Sequence, residues 1–243
     1  MKKLILIVLL LVGGVVSGQS VTGTSGLIHI PSARMLEDGQ LVIGAAFIPK
    51  GVFSRTIYGF SENAVKINPG LNTYVTYALF PFMEVMFRYT HELNVPVTME
   101  TEYFPDRMFG FRARLLKEKK YLPALVLGLQ DASAIFGETC LTCSNYTATY
   151  FVGSKNIKTG FGNFDLSIGY AFDFKELKAK DYKGVFGGVS FTSSFYDDLS
   201  ILFEHNSKGI NTGFKLNLIS KFNLMFGIWD LEKPTFAFNY YFN

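Results

Sequence analysis

Cysteine, tryptophan and histidine are nearly absent: two Cys, one Trp and three His occur in 243 residues. Two cysteines cannot build a disulfide scaffold. With His29, His91 and His205 far apart in the chain, a Cys-x-x-Cys pair lacks the second half of a zinc site. Charge is scarce as well, at 18% of residues against about 25% in soluble domains. The formal net charge of +3 falls to +1 once Lys2 and Lys3 are discounted, which gives no basic surplus for nucleic-acid binding. Beyond the first 18 residues there is no long apolar run. The longest, near Leu122 to Leu129, contains Pro123, so spanning helices are excluded. What the chain does have is 25 Phe, 13 Tyr and 23 Gly. That aromatic content is too high for disorder, and the length fits one large all-β domain or two small ones.

The N-terminus follows the pattern of a secretory signal. Lys2 and Lys3 precede an apolar run from Leu4 to Val12, continued by Gly13-Gly14-Val15-Val16. Val16-Ser17-Gly18 then offers small residues for cleavage. The expectation is a signal peptide over residues 1–18 and a mature start at Gln19. An uncleaved anchor is the alternative, but the run is shorter than the roughly 20 residues a spanning helix needs. No Cys follows the cleavage position, so a lipid-anchored N-terminus is not indicated. Export leaves Cys140 and Cys143 open to oxidation.

After Gly39 the chain breaks into segments of about ten residues with period-two alternation, divided by turns rich in Gly, Asn, Asp, Lys and Pro. Met83, Val85, Phe87 and Tyr89 share one face, and Glu84, Met86, Arg88 and Thr90 the other. Phe109, Phe111, Ala113 and Leu115 oppose Gly110, Arg112 and Arg114. Phe164, Leu166, Ile168, Tyr170 and Phe172 oppose Asp165, Ser167, Gly169, Ala171 and Asp173. Phe236, Phe238, Tyr240 and Phe242 oppose Thr235, Ala237, Asn239 and Tyr241. A soluble sandwich alternates too, with its apolar face inward. Segment length, aromatic residues at segment ends and an aromatic C-terminus favour an antiparallel membrane barrel over residues 40–243, with the apolar face outward.

Twelve strands are expected: Gln40–Ile48, Leu71–Phe80, Phe82–His91, Arg107–Leu116, Tyr121–Asp131, Thr147–Lys155, Asn163–Phe174, Gly184–Ser193, Asp198–Asn206, Gly209–Leu218, Phe222–Leu231 and Pro234–Phe242. Ten or fourteen remain open, since Val52–Phe60 can pair as well. Short connections then fall on one side and long ones on the other, as periplasmic turns and outer loops do. Lys155–Gly162 is a long turn on the short side. Residues 19–39 suit no lipid-facing strand, because Gly23, Gly26, Pro31 and Ser32-Ala33-Arg34 interrupt it. The segment can fill the lumen or cap its periplasmic mouth.

Thr22-Gly23-Thr24-Ser25-Gly26-Leu27-Ile28-His29-Ile30-Pro31-Ser32-Ala33-Arg34, followed by Asp38-Gly39, resembles the opening signature of the YjbH family. Two further blocks agree. One is Asp106-Arg107 to Phe111 and Leu115-Leu116, with Tyr121-Leu122-Pro123-Ala124 and Gly128-Leu129-Gln130-Asp131. The other runs through Tyr150, Val152 and Ser154-Lys155 to Phe164-Asp165-Leu166 and Gly169-Tyr170. The resemblance implies an outer-membrane β-barrel of a Gram-negative bacterium, linked to exopolysaccharide export. It supplies no active site. Large members of the family are several times longer, and the Cys140–Cys143 loop stands outside the pattern.

Parity points Glu84, Arg88, Arg112, Arg114, Asp165, Asp173, Glu204 and Lys215 into the lumen. They can line a path for an acidic glycan, with Arg88, Arg112 and Arg114 as ligands, or pair with one another as a structural network. The even balance of signs favours pairing. Arg34 is a candidate partner for Glu84 or Glu204. Cys140-Leu-Thr-Cys143 has no thioredoxin-like context and reads as a disulfide clip in a surface loop. His91 and His205 share the outward parity, but no serine and acid sit at matching height for a lipase-like triad. No catalytic residue, metal or cofactor is expected. The expected partners are outer-membrane lipid, envelope proteins and polysaccharide, and not nucleic acid.

Overall fold

The structure is a computed structural model that describes residues 18–52, 54–55, 65–66, 69–93, 106–131, 147–172, 182–219 and 221–242. In chain order the strands are β1 (Leu41–Ile48), β2 (Ser54–Arg55), β3 (Val65–Lys66), β4 (Gly70–Phe80), β5 (Met83–Glu92), β6 (Asp106–Leu116) and β7 (Ala124–Gln130). There follow β8 (Ala148–Lys158), β9 (Gly162–Phe172), β10 (Gly184–Ser193), β11 (Leu199–His205), β12 (Ile210–Leu218), β13 (Phe222–Trp229) and β14 (Lys233–Phe242). Strands β2 and β3 pair only with each other. The remaining twelve close into one antiparallel barrel, each beside its chain neighbours, with β1 between β14 and β4. The seam is in full register, from Leu41↔Phe242 to Phe47↔Phe236.

Alternation decides which face meets which solvent. Phe87, Phe109, Phe236 and Phe238 point outward and remain about half exposed, while Arg88, Met108, Ala237 and Asn239 between them are buried. An apolar belt running round the whole molecule is far larger than a water-soluble monomer carries, and matches a lipid-facing surface. Aromatic pairs tie adjacent strands across this face: Phe47 stacks on Phe236 at 5.1 Å, and Phe214 lies 5.6 Å from Phe226. Such pairs contribute roughly 0.5–1.5 kcal/mol each. At the turns Phe195 and Tyr121 stand out at 92% and 83% exposure, where an interfacial girdle belongs.

Strands β7 and β8 differ from expectation by up to three residues at one end, for local reasons. Strand β7 starts after Pro123, which has no N–H for the ladder, and Lys119 and Leu122 close a turn through reciprocal backbone bonds of 3.0 and 3.3 Å. It ends before Asp131, whose φ of 56° leaves the strand conformation. Strand β8 runs on to Lys158, which pairs with Asn163. The expected long turn over Lys155–Gly162 is therefore only residues 159–161. The Val52–Phe60 segment contributes Ser54–Arg55 to the separate ladder rather than to the barrel; residues 53 and 56–60 lie outside the described set.

The segment before β1 occupies the lumen. Every residue from 18 to 33 is buried. It folds on itself: Ser20 N–H donates to Thr24 O at 2.8 Å, Val21 N–H to Ile28 O at 2.8 Å and Leu27 N–H to Ile30 O at 2.9 Å. The Ser20, Thr22 and Thr24 hydroxyls bond one another. Gly23 takes a φ of +85° beneath the Tyr74 ring, and a Cβ on Gly26 would lie 2.2 Å from the Ile30 carbonyl oxygen. Both positions therefore need glycine. Apolar plug residues complete two cores with the inner wall. Val21 and Ile28 pack with Ile48, Leu202 and Met225, and Leu27 and Ile30 pack with Val126, Val152 and Phe186.

Candidate functional site

Inward side chains of the barrel bind the main chain of this plug. Glu204 on β11 accepts the N–H groups of Ile28 at 2.9 Å, His29 at 2.9 Å and Ile30 at 3.3 Å, and Asn211 Nδ2 at 2.7 Å. Lys215 on β12 donates to the carbonyls of Gly18 at 2.7 Å and Gly26 at 2.5 Å. Asn72 Nδ2 donates to Val21 O at 2.8 Å and Thr76 Oγ1 to Gly23 O at 2.6 Å. Arg88 reaches Thr22 O at 3.3 Å and Met108 Sδ at 3.0 Å. Ser154 accepts the Ala33 N–H at 2.7 Å and is itself bonded to Ser167. A buried backbone group left without a partner is costly, so each of these contacts fixes the plug in place.

Glu84 and Arg112 form a buried ion pair in the site. They stand opposite each other on β5 and β6, 2.7 Å apart, with side chains 1% and 4% exposed. Glu84 also accepts the Leu36 N–H at 2.5 Å and the Ser25 hydroxyl at 3.3 Å. Arg112 donates to the carbonyls of Ser32 and Arg34. Both partners thus bond to the plug as well as to each other, which offsets part of the cost of burying the pair.

Below it lies a half-buried ionic clasp. Arg34 pairs with Asp165 on β9 and, at 2.5 Å, with Glu118 in the turn before β7. Lys155 on β8 meets the same Glu118 at 2.9 Å, and Asn156 N–H donates to it at 3.1 Å. Burial opposes the Glu118 charge, but the bonds from Lys155, Arg34 and Asn156 outweigh it and hold the carboxyl below its ordinary range. Against burial, Asp165 and Glu118 hold the Arg34 guanidinium above its ordinary value. At the opposite end His29 caps the plug, 4.3 Å from the Trp229 ring and 5.5 Å from Tyr182, with Asn206 Nδ2 3.2 Å from its Nδ1.

Glu84, Arg88, Arg112, Asp165, Glu204 and Lys215 therefore converge on residues 18–36. Arg114 does not. A register shift between Arg114 and Leu116 turns it toward the Pro81 carbonyl, 3.0 Å away at the tight turn. Arg34 pairs with neither Glu84, which Arg112 occupies, nor Glu204, which the plug N–H groups occupy. Pro31 bridges Gly26 within the plug, and Gly39 N–H donates to Ala78 O at the entry to β1. Asp173, Cys140 and Cys143 lie outside the described residues. Glu118, Asn72, Thr76 and Ser154 escaped the sequence reading. Glu118 sits among Lys117, Lys119 and Lys120, a run that reads as a solvated turn.

Comparison with known proteins bears on what such a barrel is. Residues 18–174 match the YjbH family model, described as "Exopolysaccharide biosynthesis protein YbjH". The chain is 26% identical over 161 residues to the uncharacterized lipoprotein YjbH of Escherichia coli K12, across 64% of this chain and 19% of that protein. It thus spans about a fifth of that relative's length. Among solved structures, the outer membrane protein Omp33 of Acinetobacter baumannii is 10% identical, with 86% of this chain and 100% of that one covered and a TM-score of 0.43. The COG4313 outer membrane channel of Pseudomonas putida F1 is 7% identical, with 86% and 97% covered and a TM-score of 0.41. The fold itself rests on the pairing of the twelve strands. With its family match running from the plug through β9, the chain, a closed twelve-stranded β-barrel with a lipid-facing apolar belt, belongs to the YjbH family.

Proposed function

We propose that the protein is a non-enzymatic accessory barrel of a Gram-negative outer membrane, serving exopolysaccharide export or surface organisation alongside protein partners. Its signal peptide is removed after Gly18. The observation that supports a scaffold over a passive pore is the filled lumen. The gap between Thr24, Thr76, Glu84 and Arg112 has no room for a water molecule. Of the charges that could guide an acidic glycan, Arg88 and Arg112 are engaged with plug carbonyls and Arg114 with the Pro81 carbonyl at a turn. The link to exopolysaccharide comes from the family description.

The test is an in-frame deletion complemented by the wild-type chain. Secreted and cell-attached polysaccharide should fall on deletion and recover on complementation. Unchanged amounts in both fractions would refute the functional reading. Co-purification of a stoichiometric envelope protein after mild detergent extraction is the expected sign of a complex, and a lone monomer would count against the partner reading.

A further inference from the structure

Cleavage after Gly18 would create a chemical problem inside the lumen, and Gln19 carries its solution. Gly18 and Gln19 are both buried. The Lys215 ammonium donates to the Gly18 carbonyl at 2.7 Å, and among the described residues no carboxylate lies within ion-pair distance of it. The space is tight: a Cβ on Gly18 would lie 2.7 Å from Asn223 Oδ1 and 2.8 Å from Lys215 Cδ. Gln19 donates from Nε2 to Ser25 Oγ at 3.3 Å, while its Oε1 is buried with no hydrogen-bond partner among the described residues. Removing Gly18 takes away an acceptor of Lys215. It leaves the Gln19 α-amine, a cation at neutral pH, beside a second buried cation.

We propose that Gln19 is a modification site, cyclised to pyroglutamate in the mature protein. The α-nitrogen attacks Cδ of its own side-chain amide. A C–N bond forms, the Cδ–Nε2 bond breaks, and ammonia leaves with the transferred proton. No oxidant or cofactor is required. The product carries no charge. The former Oε1, unpartnered before, becomes the lactam carbonyl oxygen. The proposal rests on export and cleavage after Gly18 as read above.

Mass spectrometry of the protein purified from outer membranes tests it, with fragmentation of the N-terminal peptide. The expected result is a chain starting at residue 19, blocked, and lighter by one ammonia than the free glutamine form. A free Gln19 amine overturns the cyclisation alone. A chain starting elsewhere, or retaining residues 1–18, overturns the cleavage reading as well, so the two failures are told apart. Gln19→Ala cannot cyclise. Once its start at residue 19 is verified, it should show repeated openings in planar bilayers under conditions in which wild type stays closed. A Gln19→Ala barrel as closed as wild type would overturn the electrostatic argument.

Discussion

Replacing Glu204 by glutamine keeps the volume of the side chain and inverts half of its hydrogen bonding. The carboxylate accepts from Ile28 and His29 at 2.9 Å and from Ile30 at 3.3 Å. In the amide one oxygen becomes an NH2 group facing those donors, and the negative charge is lost. Hydrogen bonds to a charged acceptor contribute about 1.5–3 kcal/mol each. Losing two of them, less the desolvation the carboxylate no longer suffers, leaves a net cost of about 3 kcal/mol. At about 1.4 kcal/mol per decade that raises the undocked-to-docked ratio of the plug about a hundredfold. Glu204 touches only the plug and Asn211 among these contacts, so the barrel wall should survive. The assay is single-channel recording in planar bilayers, on protein whose folded state is verified by heat-modifiable gel mobility. Wild type should be silent and Glu204→Gln should show repeated openings. A folded Glu204→Gln barrel as silent as wild type would refute the claim that this carboxylate anchors the plug.

Deleting Gln19–Gly39 should leave a heat-modifiable barrel with steady conductance; a silent deletion barrel would mean that the wall closes on itself. Gly26→Val drives a side chain into the Ile30 carbonyl, 2.2 Å from the Cβ position, and should expose the plug to added protease without abolishing barrel assembly. Arg34→Ala removes the centre of the clasp. Because its partners are 21–25% exposed, the cost should be no more than about 1 kcal/mol, read as a small rise in proteolysis near residue 34. The Glu118 carboxyl is depressed in the folded protein, so its contribution is complete above its unfolded value of about 4.3 and is lost as pH falls through the lower folded value. Proteolytic access to the clasp should therefore increase below about pH 4 and stay flat between pH 5 and 8. A rise confined to neutral pH would exclude Glu118 as the cause.

The wall of this barrel was legible in the sequence because alternation is a local signal. Phe236, Phe238, Tyr240 and Phe242 declare a lipid face within nine residues, and the structure turns all four outward. Direct pairing of Glu84 with Arg112 was within reach too, since both carry the inward parity on consecutive strands and face each other in register. The path of the plug was not legible. Its anchors are main-chain groups meeting side chains far away in sequence, as Ile28 meets Glu204 across 176 positions. Pattern reading assigns partners to charges, and so offered Arg34 the acids Glu84 and Glu204. It has no means of seeing that a carboxylate is already satisfied by backbone N–H groups.

That kind of recognition explains the composition of the plug. Where the wall reads carbonyls and N–H groups, the plug needs side chains that stay out of the way, and small ones serve. Gly23 lets Tyr74 lie against the backbone, and Gly26 lets the chain approach Ile30 and expose its carbonyl to Lys215. Ser20, Thr22 and Thr24 satisfy one another instead of competing for the wall. Val21, Leu27, Ile28, Ile30 and Leu36 contribute bulk, and each meets an apolar patch of the inner face. It follows that the barrel should discriminate poorly among plug variants that keep backbone geometry, and sharply against those that alter it. Thr22→Ser should dock almost as wild type, whereas Gly26→Val should not. Equal loss of closure in both variants would mean that side-chain chemistry, rather than main-chain fit, holds the lumen shut.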